Sequence, residues 1–118
     1  MKNIIILFVG FLYLSSFNTP KPEQFVKTQL RVTVIDNLGN IVKDAKVRLF
    51  LKEEDYKKEV NAVGMAESNE KGIASFNDLQ DRVYYVLVEK GDMNNWGGGN
   101  VTDRLTPKRV NKINIIIE

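Results

Sequence analysis

The sequence predicts an all-β sandwich of about seven short strands behind an N-terminal export signal. Two observations carry this. Apolar and polar residues alternate along runs of a few residues, the period-two pattern of half-buried strands. Clusters of Gly, Asn and Asp separate those runs at the spacing of a sandwich, and only the stretch 53–60 has helix-favouring composition. At 118 residues the chain holds one domain.

Residues 1–19 read as a signal peptide. Lys2 precedes the apolar run Ile4 to Leu14, and the small residues Ser15 and Ser16 follow. That run is short of the roughly 20 residues a bilayer span needs. Cleavage between Ser15 and Thr19 leaves a mature chain with no membrane span; an uncleaved N-terminal anchor is the alternative. Residues 20–27 form a Pro-containing lead-in, because Pro20 and Pro22 disfavour helix and strand alike. The domain is expected over 28–118.

The first strand fits Thr28 to Ile35, with Leu30, Val32 and Val34 on one face and Arg31 and Thr33 on the other. A turn follows at Asp36 to Asn40. The second strand fits Ala45 to Lys52, with Val47, Leu49 and Leu51 inward. Residues 53–60 suit a single turn of helix, too short to be stable alone, with Glu54 and Lys58 spaced for a surface pair. Val63 to Ser68 and Ile73 to Phe76 read as a hairpin across Asn69 to Gly72. The aromatic and β-branched run Val83 to Glu89 is the strongest strand signal. A long loop spans Gly91 to Pro107. The last strand fits Val110 to Glu118, with Ile113, Ile115 and Ile117 on the core face; so apolar a strand is expected to be covered or paired.

Composition narrows the function. Lys and Arg number 17 against 15 Asp and Glu, for a net charge of +2, too balanced to imply a nucleic-acid partner. The absence of cysteine removes disulfides, thiolate metal sites, cysteine nucleophiles and lipidation at an N-terminal cysteine. The absence of histidine removes the commonest general base and zinc ligand, and with them a Ser-His-Asp triad. The carboxylates of Glu53, Glu54 and Asp55 sit in a polar connector where solvation is expected, not acid–base work. These residues point to a protein that is not an enzyme and needs no cofactor.

Leu30 to Leu49, with its Gly-containing turn and the Ala45-Lys46-Val47-Arg48-Leu49 strand, resembles the opening of carboxypeptidase regulatory-like domains. Ser68 to Phe76 resembles that family's polar turn ending in Gly before a strand holding Phe. Leu79 and Tyr84 to Val88 resemble its third signature, a Tyr leading a strand with alternating valines. The resemblance implies an Ig/transthyretin-like (prealbumin-like) β-sandwich of about seven strands, a module that recurs in small exported proteins of Bacteroidetes-type bacteria. It also implies structural jobs for Gly39 and Gly72 in turns, Ala45 in close packing, and Phe76 and Tyr84 in the core. The histidines on which transthyretin-like ureide hydrolases rely are missing. The related collagen-adhesin B-type module forms a Lys-Asn crosslink, but here only Lys27, ahead of the first strand, and Asn114 are offered for one.

The Gly91 to Pro107 loop holds the only tryptophan, Trp96, and the run Gly97-Gly98-Gly99. Loops this long between strands are often functional. In a structural reading, Trp96 packs back onto the sandwich and the polar residues satisfy loop amides. In a recognition reading, Trp96, flanked by Asn94, Asn95, Asn100 and Arg104, stacks on a sugar ring or anchors a protein contact. In a calcium reading, Asp92 and Asp103 supply oxygen ligands with Asn94 and Asn100, without EF-hand spacing. The expectation is a non-catalytic exported module with a binding or structural role, periplasmic or extracellular. Its partner is expected to be an envelope protein or a glycan.

Overall fold

The computed structural model describes residues 27–118. The expected signal peptide at 1–19, and the lead-in up to residue 26, lie outside the described residues.

Among the described residues, seven strands and one short helix follow in order: β1 (Gln29–Asp36), β2 (Lys46–Phe50), α1 (Glu53–Lys58), β3 (Gly64–Glu67), β4 (Ile73–Phe76), β5 (Tyr85–Lys90), β6 (Met93–Asn94) and β7 (Val110–Ile117). They form two sheets, one ordered β4-β1-β7 and the other β3-β2-β5-β6. β1 runs parallel to β7, and every other strand pairing is antiparallel.

The alternation along each strand explains the core between the sheets. Leu30, Val32 and Val34 of β1 point inward with Ala74 and Phe76 of β4 and Ile115 and Ile117 of β7. From the other sheet come Val47 and Leu49 of β2 and Val86 and Val88 of β5, and Ala45, Tyr84 and Leu105 complete the cluster. Burying each aliphatic side chain contributes about 1.5–3 kcal/mol.

Two turns need their glycines. In the β1–β2 turn, Gly39 adopts φ +89° while the Asp36 carboxylate accepts the N–H groups of Leu38 and Asn40 at 3.0 and 2.9 Å. The Asn40 N–H, despite an opposing desolvation, helps hold that carboxyl below the usual carboxylate range. Gly72 has φ +78°, and a Cβ there would lie 2.9 Å from Cβ of Ile41.

The expected hairpin of β3 with β4 does not form. β3 pairs with β2 and β4 with β1, so the turn at 69–72 crosses between sheets. Ser68 holds the chain at this crossing. Its buried hydroxyl accepts the Ala45 N–H at 2.9 Å and donates to the Val42 carbonyl at 2.7 Å. That pins the chain to the β1–β2 connection just before the turn.

Lys27 is exposed beside Asp78, with 3.6 Å between their charged groups. Asn114 stands opposite Thr33, six residues along from Lys27, or about 20 Å of strand. The two do not meet for a crosslink.

Candidate functional site

The site begins on the outer face of the four-stranded sheet. Alternation turns Arg48 and Phe50 of β2 and Tyr85, Leu87 and Glu89 of β5 away from the core. An outer face carrying this much apolar surface requires a cover, and α1 supplies it. The helix has acidic residues in its first turn and Lys57 and Lys58 in its last, matched to its dipole. Its ion pair runs Glu53 to Lys57 at 3.9 Å, not Glu54 to Lys58. One buried side chain anchors it: Tyr56 meets Phe50 edge-on and packs with Leu87 and Tyr85.

Beside this cluster the Arg48 guanidinium donates to Glu59 at 2.7 Å and Glu89 at 2.6 Å, and lies 5.9 Å over the Phe50 ring. Desolvation lowers its pKa, but the two carboxylates outweigh that and hold it above its ordinary value. Arg48 Nε and the Tyr56 hydroxyl are buried without partners among the described residues.

The long loop is more ordered than its sequence suggests. After Gly91, β6 turns back and pairs with the end of β5. The Asn94 backbone also exchanges two hydrogen bonds with Glu118, each 3.1 Å, which ties β6 to the end of β7. The Asn94 side chain accepts the Trp96 N–H at 3.0 Å. Next to it, Asn95 turns inward and is only 2% exposed. Its Oδ1 accepts the Val88 N–H at 2.9 Å, and its Nδ2 donates to the carbonyls of Val86 at 2.8 Å and Gly99 at 3.4 Å. Asn95 thus replaces a missing strand partner for β5, and its side chain is not available to a ligand.

Following these two asparagines, Trp96 swings onto the outer face and packs on Tyr56, with centroids 4.8 Å apart at a tilt of 49°. Trp96 as a whole is 39% exposed. Residues 100–102 then return along β5: the Asn100 carbonyl accepts the Val86 N–H at 2.7 Å, and Thr102 bonds both ways with the Tyr84 backbone. Arg104 is exposed and pairs with Asp81 at 3.7 Å. Asp92 and Asp103 are both exposed, and no three His, Cys, Asp or Glu side chains among the described residues converge to hold a metal ion.

Of the residues singled out by sequence, the fold thus leaves Trp96, Arg104, Asp92 and Asp103 exposed, buries the Asn95 side chain, uses Asn94 to hold the Trp96 backbone, and makes Asn100 a backbone acceptor. Sequence reasoning missed Tyr56, the platform for Trp96, and Arg48 with Glu59 and Glu89. A signal existed in Tyr84 to Val88, an apolar run without alternation and so a strand covered on both faces. The surface offers an exposed indole backed by the buried Tyr56 ring, apt for stacking. No helix among the described residues is long and apolar enough to cross a membrane.

No protein-family profile matches the sequence, and no curated protein does. Solved structures do share the fold. The Bacillus anthracis TIE protein superposes with a TM-score of 0.56 at 15% identity, over 78% of this chain and 17% of that one. BcpA, the major pilin subunit of Bacillus cereus, gives 0.53 at 18% identity, over 79% of this chain and 30% of that one. The group B streptococcus pilus 2b backbone protein gives 0.50 at 13% identity, over 77% and 40%. The chain spans less than half the length of each of these larger proteins, and the likeness at such identity is one of β-sandwich fold.

Proposed function

We propose that this chain is a non-catalytic module of the bacterial cell envelope, exported and acting by binding, with the Trp96 surface as its contact. The observation that carries the reading is the half-exposed indole of Trp96, stacked on buried Tyr56 and braced by Asn94 and Asn95. A large aromatic already fixed in place loses little further entropy on binding, which makes it a good anchor. An envelope protein is the first partner. A glycan is the second, favoured by the open ring face, on which a sugar can stack. Kinship to carboxypeptidase regulatory-like domains belongs to this proposal. It is supported by the left-handed backbone at Gly39 and Gly72 and by the burial of Ala45, Phe76 and Tyr84. BcpA and the streptococcal pilus 2b protein, pilus components by their names, are compatible with an assembly or adhesion role.

The test is affinity capture from envelope extract with the exported protein and its Trp96→Ala variant as paired baits, both checked for folding by circular dichroism. Retention of one protein or glycan by the wild type and its loss by the variant is the expected result. Equal capture by both baits, or capture of nothing, would refute the reading.

A further inference from the structure

β7 carries a second surface that the Trp96 reading does not use. One of its edges bonds β1. The other faces a row of grooves lined by 94–99 and 99–106, one of about 300 Å³ beside Asn114 to Glu118 and others of about 240 Å³ towards Asn111. The Arg109 carbonyl points to β1, accepting the Gln29 N–H, whereas the Glu118 N–H and carbonyl point outward to Asn94. Backbone groups alternate along a strand, so Val110, Lys112, Asn114 and Ile116 direct theirs outward. None of these is bonded to another described residue. The edge is thus open over the seven positions from 110 to 116. Long open edges recruit other strands.

We infer that the occupant is the β7 strand of a second copy, paired antiparallel about a two-fold axis through Ile113. The side chains choose this register. Val110 and Ile116 are 37% and 53% exposed, on the solvent face of the sheet. Centring on Ile113 sets Val110 against the second copy's Ile116 and Lys112 against its Asn114. Four facing residue pairs then share two hydrogen bonds each, and the exposed apolar groups cover one another. Shifting the centre to Lys112 would oppose two ammonium groups. Shifting it to Asn114 or beyond brings in Glu118, whose backbone already bonds Asn94. The register on Ile113 satisfies all four outward residues without either conflict.

The glycine run agrees with this. Gly97, Gly98 and Gly99 line the groove beside Asn114 to Ile116. None has a positive φ, and a Cβ on any of them would meet nothing within 4 Å. The isolated fold therefore does not require glycine there, and the missing side chains leave room for another chain to approach. The dimer so formed has one continuous sheet, β4-β1-β7 joined to its symmetry copy.

The test uses protein purified after export. Sedimentation velocity from micromolar to submillimolar concentration should show a monomer–dimer equilibrium. Asn114→Pro removes an outward N–H without removing a bond from the monomer, and should abolish the dimer while leaving the circular dichroism unchanged. The native chain has no cysteine, so register can be read directly. A mixture of Lys112→Cys and Asn114→Cys should form the mixed disulfide faster than either variant links to itself. A monomer at every concentration, a dimer that persists in Asn114→Pro, or self-linking of Lys112→Cys as fast as mixed linking would each overturn the inference.

Discussion

Asn95→Ala is expected to be the most damaging polar substitution in the loop, and its cost follows from two distances. Asn95 Oδ1 holds the Val88 N–H at 2.9 Å, and Nδ2 holds the Val86 carbonyl at 2.8 Å. Both partners belong to buried residues of β5. Alanine leaves a donor and an acceptor unpaired, at about 1–3 kcal/mol each, so the expected loss is about 2–6 kcal/mol. For a domain of this size, 1 kcal/mol moves Tm by about 4–8 °C, which makes the effect plain in a thermal melt. Urea denaturation followed by far-UV circular dichroism gives the free energy, and the m-value should not change. Trp96 is the only tryptophan, so its emission reports on the loop alone and should shift to the red as the indole leaves Tyr56. Asn95→Asp keeps the acceptor but loses both donor bonds and buries a charge, so it should be no better at neutral pH. A loss below about 0.5 kcal/mol for Asn95→Ala would refute the strand-replacing role given to this side chain.

Two further predictions concern the platform and the first turn. Because the Tyr56 hydroxyl is buried without a partner among the described residues, Tyr56→Phe should be neutral or stabilise the fold by up to about 1 kcal/mol in urea denaturation; a clear loss would show that the hydroxyl is engaged. Asp36 titrates below its ordinary value in the fold, so its carboxylate stabilises the β1–β2 turn above the unfolded aspartate pKa, and that contribution disappears as pH falls through the lowered folded value. Comparing urea midpoints of the wild type and Asp36→Asn through the acid range should show a steeper decline for the wild type, and parallel curves would contradict the assignment.

How much of this was legible in the sequence depends on whether a residue's role is local. The alternation of Leu30, Val32 and Val34 with Arg31 and Thr33 states which face of β1 is buried, because strand geometry alone decides it. The turns at Gly39 and Gly72 were legible for the same reason. The parting of β3 from β4 was not. A polar turn ending in glycine serves a hairpin and a crossing equally, and the contact that accompanies the crossing, the Ala45 N–H donating to the Ser68 hydroxyl, joins residues 23 positions apart. Asn94 and Asn95 are chemically identical, yet one side chain holds the backbone N–H of Trp96 and the other turns into the core. Only the return of β6 onto β5 separates them. Tyr56 was hidden in a polar stretch, since a helix of six residues carries too little periodicity to reveal its buried face.

The two proposed surfaces meet at one residue. Asn94 binds the end of β7 through its backbone and the Trp96 N–H through its side chain, so the open edge and the aromatic face are held by the same short strand. They are nonetheless separable by substitution. Trp96→Ala leaves the outward groups of β7 intact, and Asn114→Pro touches none of the aromatic cluster. If the edges pair, each dimer displays two Trp96 surfaces related by a two-fold axis, and binding to a repeated surface target gains from the second contact without any change in the first. A lattice of identical glycans or protein subunits should therefore hold the wild type more tightly than Asn114→Pro, while a single soluble ligand should not distinguish them. That comparison separates an assembly effect from a binding effect in one preparation.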